Sequence, residues 1–397
     1  MLRIKYPRRR FYNVVALTLC ITLFYFCFAV AQPKSKPYKF IHYGWDAPYP
    51  AFLNKNIQQM EKRPFDGVII RLKAGKKVFL HEPYNPKDFT QDIESLKTTK
   101  FSKFTDNFLA MWATTDEGWD WFSESDWKAS ESNLRLFAKT ARNGKLVGIA
   151  FDPETYESYG VNPWLYPKLP HATEKSFEEY KQQVRKRGAQ FIQAIQQELP
   201  GVKLLTLFQL SQFVELDRDD LPDFSKNNYG LFPAFVNGML DAIEPNTLII
   251  DGDEDAYYNE SKKDFYWGYN LIKKLALTLI DSKNKTKYAR QVKVGQAVFI
   301  DELFALRQPQ KSFISYYLTP QQRAKWLEHN TYYALSTTDE YVWCYSEQTN
   351  WWKNKIASGV EEAIRSAQKK IKNKKPLGFS IENMITKAKK MRDEKNT

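Results

Sequence analysis

The sequence predicts an α/β protein of one architecture, a (β/α)8 TIM barrel with loop insertions and a C-terminal helical extension. Three observations predict it. Short apolar runs alternate with helical segments eight times between residues 38 and 371. The runs are mostly continuous, as in parallel strands covered on both faces. The runner-up, an open doubly wound sheet, normally carries a glycine-rich first turn, and here that turn reads "YGWDAPYP".

The first strand spans 38–45, "YKFIHYGW". It precedes a helix over 51–63, where Phe52, Leu53, Ile57 and Met60 recur at helical spacing. The second strand is 67–72 and the third 107–113, followed by a helix around 126–142. The fourth strand is 146–151. A long amphipathic helix over 176–199 leads through Pro200 and Gly201 into the fifth, 203–210. A helix over 230–243 precedes the sixth, 246–251, and a helix over 266–282 the seventh, 296–301. A helix near 320–336 precedes the eighth, 340–347, and a helix over 355–371 closes the series. Residues 73–84 and the Pro- and aromatic-rich 161–175 read as insertions after the second and fourth strands. The barrel therefore occupies 38–375, and 376–397 forms a basic helical extension.

The chain begins differently. Arg3, Lys5, Arg8, Arg9 and Arg10 precede an apolar run from Val14 to Ala31, with Ala29 and Ala31 before Gln32. This pattern predicts a signal peptide over 1–31 and a linker over 32–37, hence a secreted, periplasmic or extracellular protein. Left uncleaved, the same run is about long enough to serve as a membrane anchor. Only Cys344 lies outside the segment, so an exported monomer stands on its core without an internal disulfide.

Removing five of the 59 Lys and Arg leaves 54 against 46 acids, a net +8. Much of that excess sits in the last thirty residues as a solvated tail. No nucleic-acid motif is present. Aromatic residues make up 15% of the chain, and several Trp fall in polar surroundings at 114–127 and 349–354. Such loops suit sugar rings, whose C–H faces stack on aromatics while their hydroxyls bond to polar neighbours.

Barrel chemistry belongs at the C-terminal strand ends. There the sequence places Asp46, Arg71, Asp116 and Glu117, Asp152 and Glu154, Gln209, Ser211 and Gln212, Asp251, Asp253 and Glu254, Asp301 and Glu302, then Tyr345 and Glu347. Carboxyls crowd this rim. A ring of like charge destabilises a fold unless it is used or neutralised. Asp152 and Glu154 stand two apart around Pro153, on one side of a strand end. Two such acids resist joint ionisation, so one keeps its proton to higher pH. A proton-holding carboxyl beside an ionised one is the equipment of glycoside hydrolysis, which needs no cofactor.

Metal hydrolysis is the competitor, and it normally shows clustered His and Asp ligands. The four His, His42, His81, His171 and His329, are scattered, and no H-E-x-x-H occurs. No metal is expected, although "DGDED" at 251–255 leaves an oxygen-only cation site open. No G-x-S-x-G occurs, and Cys344 lies within a strand, as a buried thiol would.

The stretch "GIAFDPE" resembles the fourth-strand motif of chitinase-type (family eighteen) glycoside hydrolases, roughly G-x-D-x-D-x-E. Gly148, Asp152 and Glu154 match, and Ala150 stands where that family has Asp. The resemblance implies Glu154 as the acid and Asp152 as the group orienting a substrate acetamide. Glu154 and Glu302 also resemble, by position, the acid/base and nucleophile of the retaining (β/α)8 glycosidase clan, with Pro153 where that clan has Asn. That resemblance implies carboxyls about 5–5.5 Å apart.

The expected site is therefore Glu154 as general acid, Asp152 as its helper, and Glu302 or Glu347 as nucleophile or base. Trp45, Asp46, Arg71, Trp112, Asp251, Asp253, Trp343, Tyr345 and Trp351 are the expected substrate contacts. Asp46 could equally cap the helix that follows it. The partner is a poly- or oligosaccharide. The alternatives are a non-catalytic glycan-binding barrel and a metal-dependent hydrolase, the latter requiring His42 to converge with three or more inward acids.

Overall fold

The computed structural model describes residues 38–155, 160–218 and 222–396; the expected signal peptide and linker lie outside the described residues. Ten strands form one parallel sheet: β1 (Lys39–His42), β2 (Gly67–Ile70), β3 (Lys77–Phe79), β4 (Phe108–Thr115), β5 (Gly148–Asp152), β6 (Lys203–Thr206), β7 (Leu248–Asp251), β8 (Val292–Val294), β9 (Gln296–Phe299) and β10 (Tyr341–Tyr345). Their order is β8-β7-β6-β5-β4-β2-β1-β10-β9, with β3 added to the far end of β4.

The path closes because β8 and β9 are one stretch of chain broken only at Gly295. Before the break it pairs with β7, and after it with β10. Gly295 N–H donates to the Asp251 carbonyl at 2.7 Å. A Cβ at 295 would stand 3.0 Å from that same oxygen, which is why glycine makes the handover. Asp339 satisfies the freed backbone, its Oδ2 accepting from Val294 N–H at 2.9 Å. Closure with every rung parallel excludes the open doubly wound sheet.

Helices return the chain between strands: α1 (Pro50–Met60), α2 (Thr90–Thr98), α3 (Glu124–Asn143), α4 (Phe177–Glu198), α5 (Phe232–Ala242), α6 (Lys262–Lys273), α7 (Lys285–Gln291), α8 (Ile300–Phe304), α9 (Pro320–Thr337), α10 (Val360–Lys372) and α11 (Glu382–Asn396). Local chemistry sets several starts. Ser123 caps α3, and capping boxes open α4 (Ser176 with Glu179) and α9 (Thr319 with Gln322). The basic C-terminal helix is not a free tail. Ile381, Ile385 and Ala388 are buried, and Lys389 pairs with Glu260.

The floor of the barrel neutralises its acids. Lys39 lies 2.6 Å from Asp106 and Lys203 lies 2.8 Å from Glu340. The tryptophans of 114–127 are not surface platforms. Trp119, Trp121 and Trp127 are buried with Phe79 and Trp164 in one aromatic cluster, where Trp119 and Trp121 lie 4.8 Å apart. Helices α3 and α4 cover what the sequence shows only as a polar loop.

Candidate active site

The fourth barrel unit is built by two hydrogen bonds. Glu154 N–H donates to Asp152 Oδ1 at 2.9 Å, and Trp164 Nε1 donates to the Pro153 carbonyl at 2.9 Å. Proline has no N–H to continue the ladder, so β5 ends and Glu154 is carried past the rim. Asp152 itself is buried beneath it.

The sixth unit is built by a different acid. Asp251 is fully buried and accepts from Gln209 N–H and Ser211 N–H, each at 3.0 Å, and from Ser211 Oγ at 2.5 Å. It ties the loop after β6 to the end of β7. Asp253 then takes a left-handed backbone, φ 50°, and buries its carboxyl against α6 at Gly268. This residue starts the 3-10 turn Glu254–Tyr258, which presents Glu254, Asp255, Tyr257 and Tyr258 to the mouth.

The mouth holds a cavity of about 500 Å³. Glu154, Glu254, Asp255 and Glu347 line it, and Arg307 is the cation among its lining residues. Its wall is aromatic. Tyr257 stacks on Tyr345 at 5.7 Å and lies 4.7 Å from Phe299, while Trp45 is 61% exposed at the lip.

Electrostatics separate the acids. Glu254 stands deep in the mouth, and burial drives its carboxyl well above the ordinary range. The charges of Asp152, Glu154 and Asp255 push it further. Burial also raises Glu347, with help from Asp301 and Glu154, while Arg307 holds it down from 3.1 Å. Tyr43, Tyr257 and Tyr345 are raised by burial and stay phenols, able to donate.

Of the residues expected from sequence, Glu154, Glu347, Trp45 and Tyr345 line this cavity, and Arg71 and Trp112 line the one beside it. Others are elsewhere. Asp46 neither faces the mouth nor caps α1, whose N-cap is Tyr49; it accepts from Trp351 N–H at 2.7 Å and lies 2.9 Å from His42 Nε2. Asp251 and Asp253 are buried. Trp343 is buried with its Nε1 on the Gly252 carbonyl at 2.8 Å, and Trp351 is buried against Phe65. These five serve the fold, because each is enclosed by the loops it holds. Glu302 falls in α8 and is not among the residues lining the cavity; its electrostatic neighbours are Glu260, Arg307 and Arg392. His42 is packed between Phe65 and Trp352, and among the described residues no group of three His, Cys, Asp or Glu could hold a metal.

Sequence reasoning placed Glu254 on the rim and Asp255 in the acidic 251–255 stretch without giving either a role in the site, and it missed Tyr257 and Arg307. One signal was available for Glu254. Like Glu154, it follows a strand-ending Asp within three residues.

No family model matches the chain, and no curated protein matches it. Among solved structures it is similar to GH5_18 from Streptomyces cattleya in complex with GlcNAc, at 10% identity over 86% of this chain and 82% of that one, with a TM-score of 0.48. It is similar to a GH5 family lichenase from Caldicellulosiruptor sp. F32, at 10% identity over 92% and 99%, TM-score 0.43. It is also similar to a GH18 chitinase from Pseudoalteromonas aurantia, at 12% identity over 83% and 99%, TM-score 0.39.

Proposed function

We propose that this protein is a glycoside hydrolase that cleaves a poly- or oligosaccharide by carboxylic acid/base catalysis. The observation that carries the reading is the pairing of Glu254 with Glu154 and Glu347 in one mouth. Glu254 is the group best placed to keep its proton, because burial and neighbouring negative charge both oppose its ionisation. In this reading it protonates the leaving oxygen as the glycosidic C–O bond breaks. Glu154 or Glu347, ionised, attacks the anomeric carbon or draws a proton from the attacking water. Glu154, expected from sequence as the donor, thus becomes a partner of the donor. Trp45 and Tyr345 offer stacking faces for the sugar. We take the chain to act outside the cytoplasm, on the strength of the 1–31 pattern.

The test is a polysaccharide screen with wild type, Glu254→Gln and Glu154→Gln in parallel. Wild type is expected to release reducing sugar, and each variant to lose roughly a hundredfold or more in rate. Release that survives both substitutions overturns the assignment.

A further inference from the structure

The mouth continues past its acids. A second cavity of about 450 Å³ opens beside it, and Trp45 and Tyr345 line both. A glycan running from one cavity into the other crosses these two rings. Tyr345 ends β10 and is held by that strand. Trp45 lies beyond the end of β1 and is 61% exposed. An exposed ring on a loose segment has many positions, and selecting one of them costs binding energy.

This segment is not loose. The consecutive carbonyls of Trp45, Asp46, Ala47 and Pro48 each accept a hydrogen bond, and Arg71 donates to three of the four. Its Nη2 donates to the Trp45 carbonyl at 2.7 Å, its Nε to the Ala47 carbonyl at 3.4 Å, and its backbone N–H to the Pro48 carbonyl at 3.0 Å. Trp352 Nε1 donates to the Asp46 carbonyl at 2.7 Å. The opposite edge is held by the chain leaving β10, where the Ser346 carbonyl accepts from Trp45 N–H at 3.1 Å. Gly44 permits that approach, because a Cβ there would stand 2.3 Å from the same oxygen. The Cα–Cβ bond of Trp45 therefore has a fixed direction, and so does the side of the mouth its ring takes. Arginine suits this task. Its planar fork reaches two carbonyls at once, whereas a lysine is a point charge. Charged donors also make the stronger bonds.

We propose that Arg71 is a positioning residue that holds Trp45 as a fixed platform between two sugar-binding cavities, so that the ligand is a chain of at least two sugar units, one on each side of the ring. The proposal rests on the functional reading above for the ligand's being a glycan, and not for the cleavage of a bond.

The test is calorimetric binding to the Glu254→Gln protein, with further substitutions made in that background. The probes are chitohexaose, cellohexaose and laminarihexaose, each beside its own monosaccharide. At least one hexasaccharide is expected to bind about tenfold or more better than its monosaccharide, as the second cavity fills. Trp45→Ala is expected to lower that affinity about three- to tenfold, the worth of one stacked ring. Arg71→Met is expected to lower it about as much. The double variant is expected to lose no more than Trp45→Ala does, because Arg71 acts through that ring. Arg71→Lys is expected to keep part of the affinity. Losses that multiply in the double variant show Arg71 acting on the ligand itself and overturn the proposal. Full affinity in Arg71→Met also overturns it, as does the failure of all three hexasaccharides to bind. If Arg71→Met does not fold, hydrogen exchange on Arg71→Lys decides. Its Trp45 amide is expected to exchange several-fold faster than in wild type, and an unchanged rate overturns the proposal. Binding with non-additive losses but no sugar release by wild type keeps the platform and sinks the hydrolase. Sugar release with multiplying losses does the reverse.

Discussion

Arg307 Nε lies 3.1 Å from Glu347 Oε2, and its guanidinium stands 6.0 Å over the Phe299 ring. Burial raises the carboxyls of both Glu347 and Glu254, and the arginine opposes that rise at Glu347, while neighbouring acids push Glu254 further up. Removing the arginine charge raises the Glu347 pKa. If Glu347 must be ionised, Arg307→Met moves the acid limb of the kcat/KM profile upward. Arg307 is 44% exposed, so solvent screens the pair and keeps the shift small.

Asp152 is the largest of the charges that raise Glu254. Asp152→Asn keeps an oxygen for the Glu154 N–H and removes that charge. Glu254 then ionises at lower pH, and the alkaline limb of kcat/KM moves down. An alkaline limb that stays in place shows that Glu254 is not the proton donor.

Glu302, which does not line the cavity, offers a stability test. Burial, then Glu260, push its carboxyl up to about 7 from an ordinary 4.5. Below 4.5 the folded and unfolded chains both hold this proton. Between 4.5 and about 7 the unfolded chain releases it and the folded chain keeps it, so stability falls as pH rises. Glu302→Gln removes the loss. Its melting temperature is expected to match wild type near pH 4 and to exceed it at pH 8, by about 1–3 kcal/mol of stability.

Two tryptophans from similar-looking loops should behave oppositely. Trp121 is fully buried and donates to the Pro163 carbonyl at 2.7 Å, so Trp121→Ala is expected to cost about 3–5 kcal/mol in a denaturant titration. Trp45 is open at the lip of the mouth. Trp45→Ala is expected to leave the denaturation midpoint near wild type and to raise KM several-fold.

Neither the position of those rings nor the use of each acid was legible in the sequence to the same degree as the barrel. The eight strands were legible because a parallel strand buried on both faces reads as an unbroken apolar run. The helices were legible from their spacing and from caps such as Ser176 and Thr319. The seventh strand was read as 296–301, but pairing begins at Val292 and Ile300 already opens a helix. Apolar continuity carries no sign of a change of partner. The acids divide by what holds them. Asp46, Asp251 and Asp301 spend their oxygens on neighbouring donors; Asp301 accepts from Glu347 N–H at 2.9 Å. Glu154, Glu254, Asp255 and Glu347 line the cavity. That division depends on loops folding back over strand ends, which no local pattern records.

Gly295 also sets the girth of the ring. Residues 292–299 pass their hydrogen bonds from one neighbour to the other at a single position, so the circle shuts without an additional strand. Glu254 hangs from the strand on one side of that handover, and Phe299 and Glu347 from those on the other. One residue's backbone therefore acts as the gauge between Glu254 and Glu347. A side chain there, 3.0 Å from the Asp251 carbonyl and 3.1 Å from Gly252, presses the two sides apart and respaces the mouth without touching any residue that lines it.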